Sequence, residues 1–235
     1  MGRLRLAAVA LALIAAPCHA AENLSQLIQD VRTLTLDTAV TGNPHFSNSQ
    51  ITTLLNQAQR EILAGNHCIQ QSLVFSLTLG ATYYPLPSNF LVVERVLIGS
   101  KMIPQYTPAA LDSQSLGWEI STGYPNRYFI NFSSRGLVGF APFPQQSTDT
   151  DTIKVDYDVQ ANDLVNGGDY PFNGINEFQD YQHALAYWAA SVIEQLDQQP
   201  ALSGAYMAVY ENVAKVMATR CRDLKNYMPS ASGAP

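Results

Sequence analysis

Charge is what this sequence has least of. Asp, Glu, Lys and Arg make up 14% of its 235 residues, against about 25% in an ordinary soluble domain. Gln, Asn, Ser and Thr stand in their place. Such a surface repels other proteins weakly, and it suits equally a subunit held against copies of itself and a near-neutral monomer. Basic residues are sparse and scattered, the one dense group being Arg220, Arg222 and Lys225. With a net charge of −6, this argues against a nucleic-acid grip by the bulk surface, which needs clustered cations to release counterions. Passage of DNA through a ring, without sequence-specific binding, stays compatible with it.

Histidine and cysteine are scarce. None of His19, His45, His67 and His183 has a second ligand at metal-site spacing. Neither do Cys18, Cys68 and Cys221. Cys68 and Cys221 are open to one disulfide, but so thin a pattern favours two unpaired thiols at helix ends.

Catalytic grammar is also missing. There is no G-x-S-x-G elbow, no H-E-x-x-H, no phosphate loop and no dinucleotide fingerprint. Asp156 and Asp158, beside Lys154, have the form of paired carboxylates for glycoside hydrolysis. They read better as the solvated face of an edge strand, where charge blocks unwanted pairing. Asp163 and Asp169 flank Asn166-Gly167-Gly168 without the spacing of an EF-hand loop. His183, near Asp180, reads as a structural hydrogen bond ahead of an acid–base pair. No catalytic residue, cofactor or metal site is assigned, and the chain reads as a non-enzyme.

No apolar run is long enough to span a membrane, which takes about 20 residues. The longest, Leu6 to Ala16, follows Arg3 and Arg5 and precedes His19-Ala20-Ala21, the pattern of a secretory signal. The alternatives are an extension retained in an assembled particle, or a start placed too far upstream.

What is present is a change of period along the chain. Leu24, Leu27, Ile28, Val31 and Leu34 predict a helix capped by Asn23. Ile51, Leu54, Leu55, Ala58 and Ile62 predict a second, stopped at Gly65-Asn66. From Gln70 the alternation is two-fold, and strands are expected near 70–79, 90–98, 101–105, 127–132, 137–140 and 153–159. A short helix is expected at Thr107–Asp112, and a loop at Trp118. Helical spacing returns after Asn173, read as the cap of a helix to about Gln198 with Ile175, Phe178, Gln182, Leu185, Ala189, Val192 and Leu196 as its stripe. Pro200 breaks it before a last helix to Tyr227, with Val209, Val213, Val216, Met217 and Leu224 inward.

The expected fold class is therefore α+β. A four-helix bundle, two helices N-terminal and two C-terminal, carries an inserted antiparallel β-rich subdomain. The boundaries are 1–21 for the signal-like or N-terminal extension, 22–69 and 173–228 for the bundle, 70–172 for the insertion, and 229–235 for a flexible tail. The aromatics concentrate in the insertion, from Tyr83 and Tyr84 through Trp118 and Phe129 to Phe143. Sugar platform, strand core and protein interface remain equally open for them.

The order of these segments resembles a known family. Leu77 to Pro87 reads LTLGATYYPLP, followed by Ser88-Asn89-Phe90-Leu91 and a strand with Glu94-Arg95-Val96. Leu111, Trp118, Gly123-Tyr124-Pro125, Tyr128-Phe129-Ile130 and the P-x-P ending of Leu137 to Pro144 continue the pattern. Tyr157, Pro171-Phe172, and a helix with Tyr181, His183, Leu185, Tyr187 and Ala189-Ala190 complete it. Over roughly residues 24–225 the chain is similar to the head-to-tail connector, or portal adaptor, proteins of tailed bacteriophages. The resemblance implies a structural virion protein, a dodecameric ring between portal and tail or nozzle proteins, and no catalytic residues. Arg220, Arg222, Lys225, Tyr227 and Met228 are the expected portal-docking interface. The competing expectation, carried by residues 1–20 and the aromatic sheet, is a secreted periplasmic or extracellular binding protein.

Overall fold

A computed structural model describes residues 21–37, 44–78, 80–114, 117–131, 136–144 and 152–227. Residues 1–20 of the signal-like segment and the C-terminal residues from Met228 lie outside them. The fold is α+β, with five α-helices and two antiparallel sheets among the described residues.

Helix α1 (Leu24–Thr35) and helix α2 (Asn48–Asn66) both begin with a capping box. Asn23 and Gln26, and then Ser47 and Gln50, exchange side-chain and backbone hydrogen bonds that satisfy otherwise free N–H groups. Helix α2 ends where His67 takes a left-handed conformation, one residue past the helix. Buried Arg32 donates to Asp37, to the Phe46 carbonyl and to Asn48, fixing how the chain enters α2.

Seven strands follow: β1 (Gln70–Ser76), β2 (Tyr83–Pro85), β3 (Phe90–Ile98), β4 (Lys101–Ile103), β5 (Arg127–Ile130), β6 (Leu137–Ala141) and β7 (Thr152–Val159). Helix α3 (Pro108–Gln114) lies between β4 and β5. The larger sheet has the order β1-β7-β3-β4, and the smaller one β2-β6-β5. In the smaller sheet, two-fold alternation sends Tyr128, Val138 and Phe140 into the main core and Phe129 and Ala141 into a second cluster with Leu111 and Trp118. Phe129 pairs with Gly139 across the ladder. Its ring fills the space a Cβ would need there, so the glycine is required by close approach. Trp118 begins a 3-10 turn, where a loop was expected, and its indole N–H donates to Asp112 at 2.7 Å.

The helix expected from Asn173 to Gln198 is shorter. Two 3-10 segments, Pro171–Gly174 and Asn176–Tyr181, precede helix α4 (His183–Leu196). Phe172, Asn173 and Gly174 all have positive φ, which an α-helix does not allow. The Asn173 side chain accepts from the Asn162 N–H and caps no helix. Buried residues cover nearly every side of α4 in place of the single stripe expected, and Leu196 at its end is exposed. The reason is that α1, α2 and α5 (Pro200–Tyr227) all lie against it. Ala184, Ala186, Ala189 and Ala190 are all buried there, and their small side chains permit that approach. The inward face of α5 agrees with expectation in part: Met217 is buried and Val213 and Leu224 pack against the core, but Val209 and Val216 are exposed and Tyr210 and Cys221 are buried as well. The tyrosines join that face, because a phenol buries its ring and sends its hydroxyl to a partner, as Tyr206 does to the Leu34 carbonyl.

One hydrophobic cluster runs from the helices into both sheets. The irregular segment between β7 and α4 is bound to α2 by two buried amides. Asn56 accepts from the Leu164 N–H at 2.7 Å and donates to the Leu164 carbonyl at 3.0 Å. Gln59 donates to the Asn162 carbonyl and accepts from the Phe172 N–H. Asn56→Ala strands both Leu164 groups in a dry site, and it is expected to lower unfolding free energy by about 2–4 kcal/mol. Urea denaturation measures this; a loss below about 0.5 kcal/mol, the size of an ordinary surface substitution, contradicts it.

Candidate functional site

The strand β7 was expected at an edge. It is central, hydrogen-bonded to β1 on one side and β3 on the other. Its two aspartates point to the face opposite the apolar core, yet both are buried and not solvated. Asp156 pairs across the ladder with Ser72 and Arg95. It accepts from the Ser72 hydroxyl and from Arg95 Nε, with Lys154 Nζ at 3.4 Å. Burial works to raise its pKa, but these partners outweigh burial and hold it below the usual carboxylate range.

One row further along, between Gln70 and Val92, the Asp158 side chain is wholly buried. The end of α5 covers it. Lys225 Nζ donates at 2.8 Å to Asp158 Oδ2 and at 2.8 Å to Glu94 Oε1 of β3. His67 Nδ1, at the end of α2, stands 3.9 Å from the same Asp158 oxygen. Cys68, the next residue, is disulfide-bonded to Cys221, with the two Cα atoms 5.2 Å apart. The expectation of unpaired thiols is thus overturned: the ends of α2 and α5, remote in sequence, are brought within bridging reach. Cys221 and Lys225 are one helical turn apart and so share a face of α5. A covalent bond and an ion cluster therefore meet at one point of the fold.

The electrostatics of the cluster are lopsided. Burial pushes Asp158 up, the neighbouring Glu94 carboxylate adds to this, and Lys225 offsets part of it, leaving a pKa of about 7. Glu94 is lowered by its hydrogen bonds with Asp158 and Lys225. Burial works to lower Lys225, but its two carboxylate partners raise it overall.

The residues proposed for docking fare differently. Arg220 and Arg222 are exposed. Lys225 is half-buried and engaged within the chain. Tyr227 is the last residue of α5, while its side chain and Met228 lie outside the described residues. Asp163 pairs with Arg60 at 2.6 Å, whereas Asp169 accepts from the Val165 and Asn166 N–H groups, so the two carboxylates of that loop have separate partners. His183 opens α4 and meets Tyr187 edge-on. Among the insertion's aromatics, Tyr84, Trp118, Tyr128, Phe129 and Phe140 are buried and Phe90, Tyr106 and Phe143 half-buried, while Tyr83, Tyr124 and Tyr170 are exposed. The two buried amides on α2 carry no motif, and sequence reasoning passed over them; Glu94 entered only as part of the family pattern, with no partner assigned.

A family model described as SU10 adaptor protein matches residues 22–231. The chain belongs to the SU10 adaptor protein family. It is a family of phage head-to-tail adaptors. No curated protein matches the chain. The match begins just after the signal-like segment and spans the helices, both sheets and the Asp158 cluster. Among the described residues, no helix is long and apolar enough to cross a membrane.

The raised pKa of Asp158 gives the adaptor a pH dependence of stability. The unfolded carboxyl releases its proton near pH 3.9 and the folded one near about 7. Between those values the native state holds a proton that the unfolded state has lost, so this group makes stability fall as pH rises. Asp158→Asn removes that slope. Its melting temperature relative to the parent is expected to climb from about pH 5 to about pH 8. A difference that stays flat across that interval contradicts the assignment.

Proposed function

We propose that this chain is a structural virion subunit that forms an oligomeric ring joining the portal to the tail of a phage. The family match over residues 22–231 carries this reading. The low charge of the surface supports it, since copies meet at little electrostatic cost. Contact of α4 with α1, α2 and α5 supports reading those four helices as one bundle bearing the β-rich insertion. The part played is scaffolding, not catalysis: Asp156 and Asp158, the carboxylates nearest to a hydrolytic pair, are each engaged by cationic side chains.

Docking on the portal is assigned to the end of α5 and the residues after it. Arg220 and Arg222 present two exposed cations there. Lys225 serves from within, by setting the angle at which that end leaves the body. DNA traverses the ring without sequence-specific contacts.

Electron microscopy of the purified protein, alone and with portal, tests the ring. Closed rings are expected, and monomers under both conditions contradict the proposal. Arg220→Glu combined with Arg222→Glu is expected to weaken portal association by about tenfold or more, with melting temperature unchanged, because exposed charges steer association more than they stabilise a fold. Unchanged association refutes the assigned docking surface.

A further inference from the structure

Helix α5 has 28 residues and α4 has 14. The short connection at 197–199 makes them antiparallel neighbours, so the second half of α5 runs roughly 21 Å past the start of α4. That half lacks the partner the first half has. It rests on the 3-10 segment before α4 and on the end of α2. Asn66 Nδ2 donates to the Ala214 carbonyl at 3.4 Å, Cys68 bonds Cys221, and Lys225 reaches Asp158 and Glu94. Met217 and Cys221 are buried against the body, but Lys215, Val216, Thr219, Arg220, Arg222 and Asp223 face outward.

We infer that Cys68–Cys221 is a redox latch that holds the second half of α5 against the body. The inference does not depend on what that segment binds. The disulfide is the one covalent restraint on the overshooting half among the described residues. It clamps the helix between the long-range bond at Asn66 and the ion pairs at Lys225. Half-buried Cys68 is the more accessible sulfur, since Cys221 is 3% exposed.

A dithiol reductant opens the latch by thiolate attack on Cys68 Sγ. The Sγ–Sγ bond breaks, Cys221 leaves as a thiolate and takes a proton, and a mixed disulfide remains on Cys68. The reductant's second thiol then displaces Cys68, giving two protein thiols and one oxidised reductant. Glutathione disulfide reverses the conversion by two exchanges, releasing two glutathione thiols. With the clamp open, three polar contacts and the apolar packing of Met217, Cys221 and Leu224 are left to hold a half-helix with no neighbour on its outer face among the described residues, so local opening of that half becomes easier.

The test is limited trypsin digestion of the full chain before and after native treatment with dithiothreitol, with thiols counted by alkylation. Reduction is expected to speed cleavage after Arg220 and Arg222 by about tenfold or more, with cleavage after Lys101 and Arg127 unchanged, since local and global opening separate by site. Reoxidation with glutathione disulfide restores protection. Oxidised Lys225→Met is expected to stay protected, and Cys68→Ser combined with Cys221→Ser to be cleaved rapidly without reductant. Equal acceleration at Lys101, no acceleration once two thiols are counted, failure of native reduction, or an oxidised Lys225→Met as open as the reduced parent each overturns the latch.

Discussion

A buried carboxylate on a central strand governs this structure. Asp158 lies at the end of β7, flanked by β1 and β3, with no part of its side chain reaching solvent. A charge so placed needs an opposite charge brought to it, because water is excluded and the surrounding hydrogen-bond ladder is already satisfied. Lys225 supplies it from the last turn of α5, and that requirement fixes where a helix of 28 residues ends on the sheet. Once α5 is fixed, α4 follows through their shared hairpin, and α1 and α2 follow through α4. The disulfide one turn earlier binds the same end of α5 to the end of α2, and closes a chain segment 153 residues long. In the chain-entropy account such a loop is worth about 5 kcal/mol against the unfolded state.

The local elements were legible wherever a local rule decides them. Asn23 was legible as a cap and apolar spacing marked both helices, while the capping boxes that start them, each closed by a glutamine three residues on, were not read. The strands β1, β3 and β7 were legible because successive side chains point to opposite faces, which imposes a period of two even where, as in β7, both faces are buried. The failures share a cause, which is that the deciding partner lies far away in sequence. Nothing near Asp156 and Asp158 shows that β1, more than eighty residues earlier, will cover the edge of β7. Cys68 and Cys221 look unrelated until both helices are placed. The start of α4 was missed because Phe172 and Asn173 adopt positive φ, a tertiary choice enforced by Gln59 holding the Phe172 N–H. Val209 and Val216 were misplaced because the inward face of α5 takes buried Tyr210 and half-buried Tyr206, whose hydroxyl finds the distant Leu34 carbonyl.

For an assembly subunit, this arrangement separates two duties. Helices and sheets share one hydrophobic cluster, which gives a body that keeps its shape under contact from several sides. The second half of α5 runs past α4 and is restrained at its far end by a disulfide and ion pairs as well as by the burial of Met217 and Cys221. The segment assigned to docking is thereby positioned by bonds whose strength depends on redox state and on ionisation.

The account rests on the attraction between Asp158 and Lys225, and a double-mutant cycle measures it directly. Asp158→Asn, Lys225→Met and the double variant are unfolded in urea at about pH 8, where Asp158 is ionised. Lys225→Met in the parent leaves a buried carboxylate without its cation, whereas in the Asp158→Asn background it does not. The predicted coupling energy is about 2–3 kcal/mol, in the range of close buried pairs. Additive effects, with coupling below about 0.5 kcal/mol, contradict the claim that this pair anchors α5 to the sheet.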